Sequence, residues 1–293
     1  MYSAIAANKR NTFLIMALFI GLIGGIGWLV SYLFYGGNSS IAIGVLITAA
    51  IYAGVQYFAA GALAVAMTGA KQIEKSDNPR LYRVVENLSI TLGLPMPKVY
   101  IIEDQAPNAF ATGRNPKNAI VAATTGLIDI MDDRELTAVM AHEMGHVQNY
   151  DIRVSMIAFG LVSAIGFLSD IVLRMFIFGD SRRENTNPVF MVFGLVIIIL
   201  APVIAAIVQM ATSRQREYLA DASGAMTTRD SDAMVRALEK LKTYGKPMKK
   251  QQSATAQLFI SNPLKPGFFA RLFSSHPPLE DRIARLKSNA DKF

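Results

Sequence analysis

Two long runs without a charged residue constrain this chain more than any other feature. The first covers residues 12–34 and the second covers residues 41–67. A helix of 23 residues is about 34 Å long, enough to cross the hydrocarbon core of a bilayer, which is about 30 Å thick. Only 17% of the 293 residues are charged, against about 25% in an average soluble domain. Both observations predict an α-helical integral membrane protein.

The charges around these two runs predict their orientation. Lys9 and Arg10 precede the first run, Lys71 and Lys75 follow the second, and the short turn between the runs has no charge. Positive residues are enriched on the cytoplasmic side of membrane proteins. We therefore expect both ends of this hairpin to be cytoplasmic. The net charge of +7 comes from scattered residues, so it predicts contact with the lipid bilayer and not with nucleic acid.

Changes in hydropathy divide the chain into four parts. Residues 1–71 form an N-terminal transmembrane hairpin, and residues 72–153 have the composition of a soluble domain. Residues 154–211 form a second apolar hairpin, and residues 212–293 are again soluble in composition. The two soluble parts would together form one catalytic domain.

The second apolar hairpin is less regular than the first. Its later run, residues 188–211, is uncharged, whereas Asp170 and Arg174 interrupt residues 154–179. The two charges are four residues apart, so they lie on one helical face and can pair. Charges in membrane spans also serve transport or gating. A structural ion pair and a functional pair both remain open, as does full crossing of the membrane by this region.

The soluble parts carry recognisable start and stop residues. The pattern predicts helices that begin after Asn78, after Asp132 with Glu135 in a capping box, after Asp230 and after Pro278. It also predicts a strand and then a hairpin of two strands, at residues 98–103, 108–112 and 118–123. Residues 246–270 lack periodicity and are expected to form a flexible loop or flap.

The segment from Ala141 to His146 contains a His-Glu-x-x-His pattern. On a helix, His142 and His146 share one face and can bind one metal ion. Glu143 lies beside them, where it can take the proton of a water molecule that a zinc ion has activated. The bare pattern also arises by chance, but the capping box upstream favours a helix here.

A catalytic zinc ion needs a third protein ligand, and the chain has no cysteine. The remaining histidine, His276, lies in a proline-flanked turn, which leaves Glu217 as the best carboxylate. Asp221, one helical turn further on, is placed to orient a ligating imidazole. By spacing alone, a solvated helix face with Arg214 and Arg216 as ion-pair partners explains both carboxylates more simply.

Membrane topology favours Glu217 independently. His146 lies about eight residues before the second apolar hairpin, and Glu217 lies about six residues after it, so both are about 10 Å from the membrane boundary. Two crossings separate them, which returns the chain to the same side. A single crossing would have excluded a shared metal site.

The sequence resembles the HtpX membrane zinc metalloproteases, relatives of the type I CAAX prenyl proteases in the gluzincin group, over essentially its whole length. All three histidines fall on family positions. The similarity is carried by the two N-terminal spans, the two later apolar runs, Glu217 with Asp221, and three segments: Pro107-Asn-Ala-Phe-Ala-Thr-Gly113, His142-Glu-Met-Gly-His-Val-Gln-Asn-Tyr-Asp151 and His276-Pro-Pro-Leu-Glu-Asp-Arg-Ile283.

The resemblance implies a zincin-like domain, mainly α with a small edge β-sheet. It implies that the zinc ligands are His142, His146 and Glu217, that Glu143 is the general base and that Asp221 orients a ligand. His276 would stabilise the oxyanion, and Arg282 would support its loop. Asn108 would belong to an edge strand that binds an extended substrate by β-augmentation.

The resemblance also implies a role. Such proteins degrade damaged or misassembled membrane proteins on the cytoplasmic side of the cell membrane, alongside an FtsH-type membrane protease. Two other functions remain as alternatives. A polytopic transporter would need Asp170 and Arg174 but not the metal residues, and a non-catalytic zinc-binding scaffold would keep the ligands without needing Glu143. Another divalent metal could also replace zinc at such ligands.

Overall fold

The computed structural model describes residues 2–178, 214–250, 253–256, 258–264 and 277–289. Its helices are α1 (Tyr2–Phe34), α2 (Ser39–Thr68), α3 (Pro79–Leu92), α4 (Thr125–Ile130), α5 (Asp133–Gln148), α6 (Asp151–Phe178), α7 (Arg214–Thr228), α8 (Ser231–Tyr244), α9 (Ser253–Ala256) and α10 (Leu279–Ser288). Its strands are β1 (Lys71–Gln72), β2 (Lys98–Ile102), β3 (Ala109–Thr112) and β4 (Ile120–Thr124). The described part is thus mostly helical, with one small mixed sheet.

Helices α1 and α2 contain segments long and apolar enough to cross a membrane, Ile5–Leu29 and Ser39–Thr68. The two helices pack against each other and keep large apolar side chains exposed, among them Phe13, Trp28, Ile51 and Phe58. Exposed apolar surface of this kind is favourable in lipid and costly in water. These two helices support a membrane location.

Helix α1 is longer than its uncharged run. It begins at Tyr2, ten residues before the run, so its first turns carry Asn8, Lys9 and Arg10. Asn8 and Thr12 are buried at 3% and 0% exposure. The N-terminal end of the helix therefore packs into the polypeptide, beyond the run that the sequence marks as membrane-spanning.

The predicted helix boundaries in the soluble part are confirmed. Asn78 accepts a hydrogen bond from the N–H of Leu81 at the start of α3, and Gly93 ends that helix in the left-handed region with φ of 62°. Asp132 and Glu135 form the predicted capping box at the start of α5. These N-terminal and C-terminal caps satisfy backbone groups that a helix end leaves without an intrahelical partner.

The sheet has the strand order β1-β2-β4-β3. Strands β3 and β4 form the predicted antiparallel hairpin, and β2 pairs with β4 in parallel. Strand β1, which pairs antiparallel with β2, was not predicted, because two residues are too few to show a period.

The expectation of a flexible loop over residues 246–270 is wrong in part. Residues 258–260 are buried, Phe259 pairs with Phe110 of β3, and residues 253–256 form the short helix α9. Apolar side chains at 258–260 pack into the core, which outweighs their lack of periodicity. The run 188–211, the side chains of Asp170 and Arg174, and His276 lie outside the described residues.

Candidate metal centre

Helix α5 is the most deeply buried helix of the soluble part, with contacts to the sheet, α3, α7 and α8. His142 and Glu143 are exposed by only 0% and 2%. Gly145, between the two histidines, faces α7: a methyl group added there would lie 3.8 Å from Ala220. Gly145 thus faces a neighbouring helix at ordinary van der Waals distance.

Three side chains converge at this buried face of α5. The Nε2 atoms of His142 and His146 are 3.2 Å apart, and each lies 3.6 Å from a carboxylate oxygen of Glu217. Two ligands about 2.0–2.1 Å from a tetrahedral zinc ion stand about 3.3–3.4 Å apart. The donor types and their spacing therefore fit one zinc ion. Glu217 is 8% exposed, so it does not lie on a solvated helix face.

The other nitrogen of each histidine is held by a carboxylate. The Nδ1 atom of His142 lies 2.9 Å from Asp221, and the Nδ1 atom of His146 lies 2.9 Å from Asp151. In the neutral imidazole, each carboxylate accepts the Nδ1–H, which leaves Nε2 with its lone pair toward the space between the three donors. Asp221 was placed near a ligand by the sequence, whereas Asp151 was quoted only as the end of a motif.

Arg282 holds Asp221 in turn. Its guanidinium donates two hydrogen bonds to that carboxylate, at 2.8 and 2.6 Å, and it is fully buried. It also donates to the carbonyl of Ile260 at 3.4 Å. Arg282 was expected to support the loop of His276, which lies outside the described residues, so that role stays a prediction. Among the described residues, its guanidinium holds Asp221 and the carbonyl of Ile260.

Burial and neighbouring charges shift the ionisable groups of the centre. Burial lowers the pKa of His142 to about 4 and raises the pKa of Glu143 to about 7. Burial also acts to lower the pKa of His146, but the carboxylates of Glu217 and Asp151 raise it to about 9. Such clusters of shifted groups are typical of functional sites.

Glu143 connects the centre to the sheet. Its carboxylate lies beside the backbone N–H of Ala111 in β3, which acts to lower the pKa of that carboxyl. In the register of the hairpin, Ala109 and Ala111 point their backbone groups away from β4. Glu143, beside the three candidate metal donors, therefore lies against the outer edge of the strand that the sequence marks as a substrate site. Residues 259 and 260 pair with the same edge at Phe110 and Ala109.

Asn108 immediately precedes that strand and is 2% exposed. Its side-chain amide donates to the carbonyl of Ser261 at 2.8 Å and accepts from the N–H of Ser261 at 3.1 Å. The N–H of Ile260 donates to the carbonyl of Ala109. Asn108 thus attaches residues 260–261 to the start of β3, and direct contact of its side chain with a substrate stays a prediction.

A model of peptidase family M48 matches residues 75–290, which is more than two thirds of the chain. The chain belongs to this family. Two curated relatives are named "Protease HtpX homolog". The protein from Tropheryma whipplei (strain Twist) is 58% identical over 100% of both chains, and the protein from Streptococcus gordonii is 43% identical over 98% of this chain and 99% of its own.

Among solved structures, the "Crystal Structure of S. mikatae Ste24p" is similar to this M48 chain with a TM-score of 0.49 and 20% identity, over 97% of this chain and 63% of that one. The family match and the relatives confirm the resemblance drawn from the sequence, and with it the expectation of a membrane metalloprotease. The roles of individual residues remain proposals.

Gly145 gives a first testable prediction. Alanine at this position should raise the free energy of unfolding by about 0.5–1 kcal/mol, because a helical glycine costs about that much and Ala220 leaves ordinary room for a methyl group. At Gly224 of α7, the same methyl group would lie 3.1 Å from the backbone nitrogen of His142. The Gly224→Ala protein is therefore the matched control. Both replacements gain the same helix propensity, and they differ only in the room that the neighbouring helix leaves for the methyl group.

Thermal unfolding of both chelator-treated proteins in detergent checks this prediction. We expect the melting temperature of the Gly145→Ala protein to exceed that of the Gly224→Ala protein. Equal melting temperatures would show that the close approach of α7 to α5 does not limit packing at the metal centre.

Proposed function

We propose that this M48 chain is a zinc-dependent endopeptidase of the cell membrane, with Glu143 as its general base. The observation that carries the proposal is the convergence of His142, His146 and Glu217, whose ligand atoms all lie within 4.8 Å of one another. The buried carboxylate of Glu143 follows His142 directly in the chain. The family supplies a metal-dependent peptidase, and the donor set and spacing support zinc as the metal.

His142, His146 and Glu217 would hold the ion through two Nε2 atoms and one carboxylate. When bound, zinc supplies a Lewis acid that polarises a water molecule and the scissile carbonyl. Glu143 accepts the proton of the attacking water and passes it to the leaving amine. Burial acts to raise the pKa of this carboxyl, which makes it a stronger proton acceptor. The carboxylates of Asp221 and Asp151, which contact the two Nδ1 atoms, hold the imidazoles in place during these transfers.

The substrate would be an extended polypeptide along the outer edge of β3. Residues 259 and 260 of this chain already pair with this edge at Phe110 and Ala109, so the peptide would pair beyond them, at the Ala111 end of β3. Ala111 directs its backbone outward beside Glu143, so a peptide paired there by β-augmentation would bring a carbonyl to the metal. Asn108 would shape this edge through its hold on Ser261. His276, outside the described residues, would donate a hydrogen bond to the oxyanion, as the resemblance implies.

The natural substrates would be damaged or misfolded membrane proteins and unfolded polypeptides. The chain would be a multi-pass protein with four spans, arranged as two hairpins at residues 1–71 and 154–211. The catalytic domain would consist of residues 72–153 and 212–293. Positive charges flanking the first hairpin favour a catalytic site on the cytoplasmic side, where an FtsH-type membrane protease would share its substrates.

Membership of family M48 argues against a polytopic transporter. Transport would also not require that three metal-binding side chains converge. The non-catalytic zinc scaffold is the remaining alternative. It does not explain why Glu143 is buried against the edge of β3, where a carboxylate is costly unless it has a function. Activity separates the two, since only an endopeptidase cleaves.

The test uses the full-length protein purified in detergent. We expect about one zinc ion per chain and cleavage of an unfolded reporter polypeptide, both removed by a chelator and restored by added zinc. Stoichiometric zinc without cleavage in detergent or in reconstituted bilayers would favour the scaffold. Absence of bound metal, even after zinc is supplied, would overturn the site.

Glu217→Gln tests the third ligand. The amide keeps the shape of the side chain but removes its charge, so we expect zinc affinity to fall by more than the 10–100-fold typical of residues that only support a ligand. Glu280→Gln, an exposed carboxylate of α10 paired with Lys242, is the control and should bind zinc normally. Unchanged zinc affinity in the Glu217→Gln protein would remove Glu217 from the ligand set.

A further inference from the structure

The first membrane helix contributes a buried amide to the metal centre. Asn8 of α1 is 3% exposed, and its Nδ2 group donates to Asp151 at 2.6 Å and to the backbone carbonyl of Asn149 at 2.9 Å. Its Oδ1 atom accepts from Arg216 at 3.3 Å. Both ends of the amide are therefore engaged, each with groups of the complementary type.

These partners belong to the elements that carry the metal ligands. Asn149 ends helix α5, which holds both histidines, Asp151 begins α6, and Arg216 precedes Glu217 on α7. Asn8 therefore lies where three elements of the centre meet. It also lies outside residues 75–290, the part that the family model matches.

The turn between α5 and α6 explains why such a contact is needed. Tyr150 has a φ of 62°, the left-handed region that few side chains adopt, and this sharp turn brings Asp151 back to His146. Lys9, the next residue of α1, lies 4.9 Å from the centre of the Tyr150 ring. Two consecutive residues of the membrane helix thus pack on the turn that positions Asp151.

The two oxygens of Asp151 have different partners. Oδ2 lies 2.9 Å from Nδ1 of His146, whereas Oδ1 accepts the hydrogen bond of Asn8 at 2.6 Å and lies 3.6 Å from the guanidinium of Arg216. A carboxylate held at one oxygen only can rotate about its terminal bond, which would tilt the imidazole it orients. A donor on the second oxygen prevents this rotation.

We propose that Asn8 is a positioning residue for the metal ligand His146, and that it acts by fixing the carboxylate of Asp151. The inference rests on the proposed zinc site. It makes the membrane helix α1 part of the metal centre, in addition to its role as an anchor.

The experiment measures metal affinity of full-length proteins in detergent, by competition with a zinc-chelating dye. Asn8→Leu keeps the size of the side chain and removes the amide; Asn8→Asp replaces the donor by an acceptor that faces Asp151. We expect each to weaken zinc binding by about tenfold, the lower end of the range for outer-shell partners, because Asn8 acts through another residue.

Thr12→Val is the control. Thr12 is buried one turn along α1, and its hydroxyl donates a hydrogen bond to the backbone carbonyl of Asn8. It should bind zinc like the unmodified chain.

A double-variant cycle distinguishes positioning from a general loss of folding. If Asn8 acts through Asp151, Asn8→Leu should add no further loss of affinity to an Asp151→Asn protein. The absorption spectrum of bound Co²⁺ should also change in the Asn8 variants, because it reports ligand geometry independently of the fraction bound.

The outcomes separate this inference from the proposed function. If the unmodified chain binds no metal, the proposed site itself fails. If that chain binds zinc, but the Asn8 variants match Thr12→Val in affinity and Co²⁺ spectrum, Asn8 does not position His146. Additive losses in the double variant would likewise overturn the route through Asp151.

Discussion

Replacing Glu143 by glutamine is expected to lower kcat for cleavage of an unfolded reporter by about 10²–10⁴-fold, the usual contribution of a general base. Glutamine has the shape of glutamate and can still face the N–H of Ala111, but it cannot accept the proton of the attacking water. Because Glu143 is not one of the three donors that converge, the protein should still bind one zinc ion.

The measurement compares cleavage rates and metal content in the same preparations. Glu86→Gln is a suitable control, because Glu86 lies on α3 and pairs with Lys75 at the surface. Loss of metal together with activity would mean that Glu143 supports the ligands. Retained activity in the metal-bound Glu143→Gln protein would assign the base to another group.

Arg282→Met should cause the largest loss of stability. Methionine is about as long as arginine but leaves the carboxylate of Asp221 buried without its main partner. Removing one member of a buried ion pair costs about 3–5 kcal/mol, because the remaining charge has neither solvent nor a counter-ion. At about 2–4 °C per kcal/mol for a domain of this size, the melting temperature should fall by about 6–20 °C.

Arg285→Met on the same helix is the matched control. Arg285 is exposed, with its guanidinium 4.7 Å from the ring centre of Tyr218, an arrangement worth about 0.5–1 kcal/mol at an exposed site. Thermal unfolding of chelator-treated proteins checks the difference, since bound metal would add its own stabilisation. Similar melting temperatures for the two variants would contradict the burial and pairing of Arg282.

The Arg282→Met protein should also bind zinc less tightly, because Asp221 orients His142 only while its own position is held. Arg282→Lys should recover part of the stability. Lysine supplies the charge but not the two parallel hydrogen bonds of a guanidinium. A lysine variant as unstable as the methionine variant would show that the paired geometry matters more than the charge.

The local elements around the centre were predictable, because each depends on neighbours in sequence. The capping box of Asp132 and Glu135 and the start of α3 at Asn78 follow from side chains that bond backbone groups two or three residues away. The spacing of His142 and His146 follows from the helical period. Such features need no tertiary contact to be recognised.

Glu217 and Asp221 show the limit of this approach. By spacing alone an exposed helix face explained them more simply, and only topology and resemblance favoured the metal site. Their burial against α5 excludes the exposed helix face in the structure. Residues 258–260 show the same limit, since nothing in their local pattern predicted that they would pair with β3.

The sequence by itself determined the two N-terminal apolar helices, the helix that carries His142 and His146, and the donor types of the candidate centre, because hydropathy, capping and residue spacing are local properties of the chain. Only the tertiary structure decided which groups hold the ligands. Asn8, Asp151 and Arg216 lie up to 208 residues apart, and Arg282 reaches Asp221 across 61 residues. Buried polar groups need partners, but packing, not sequence distance, determines which ones they meet.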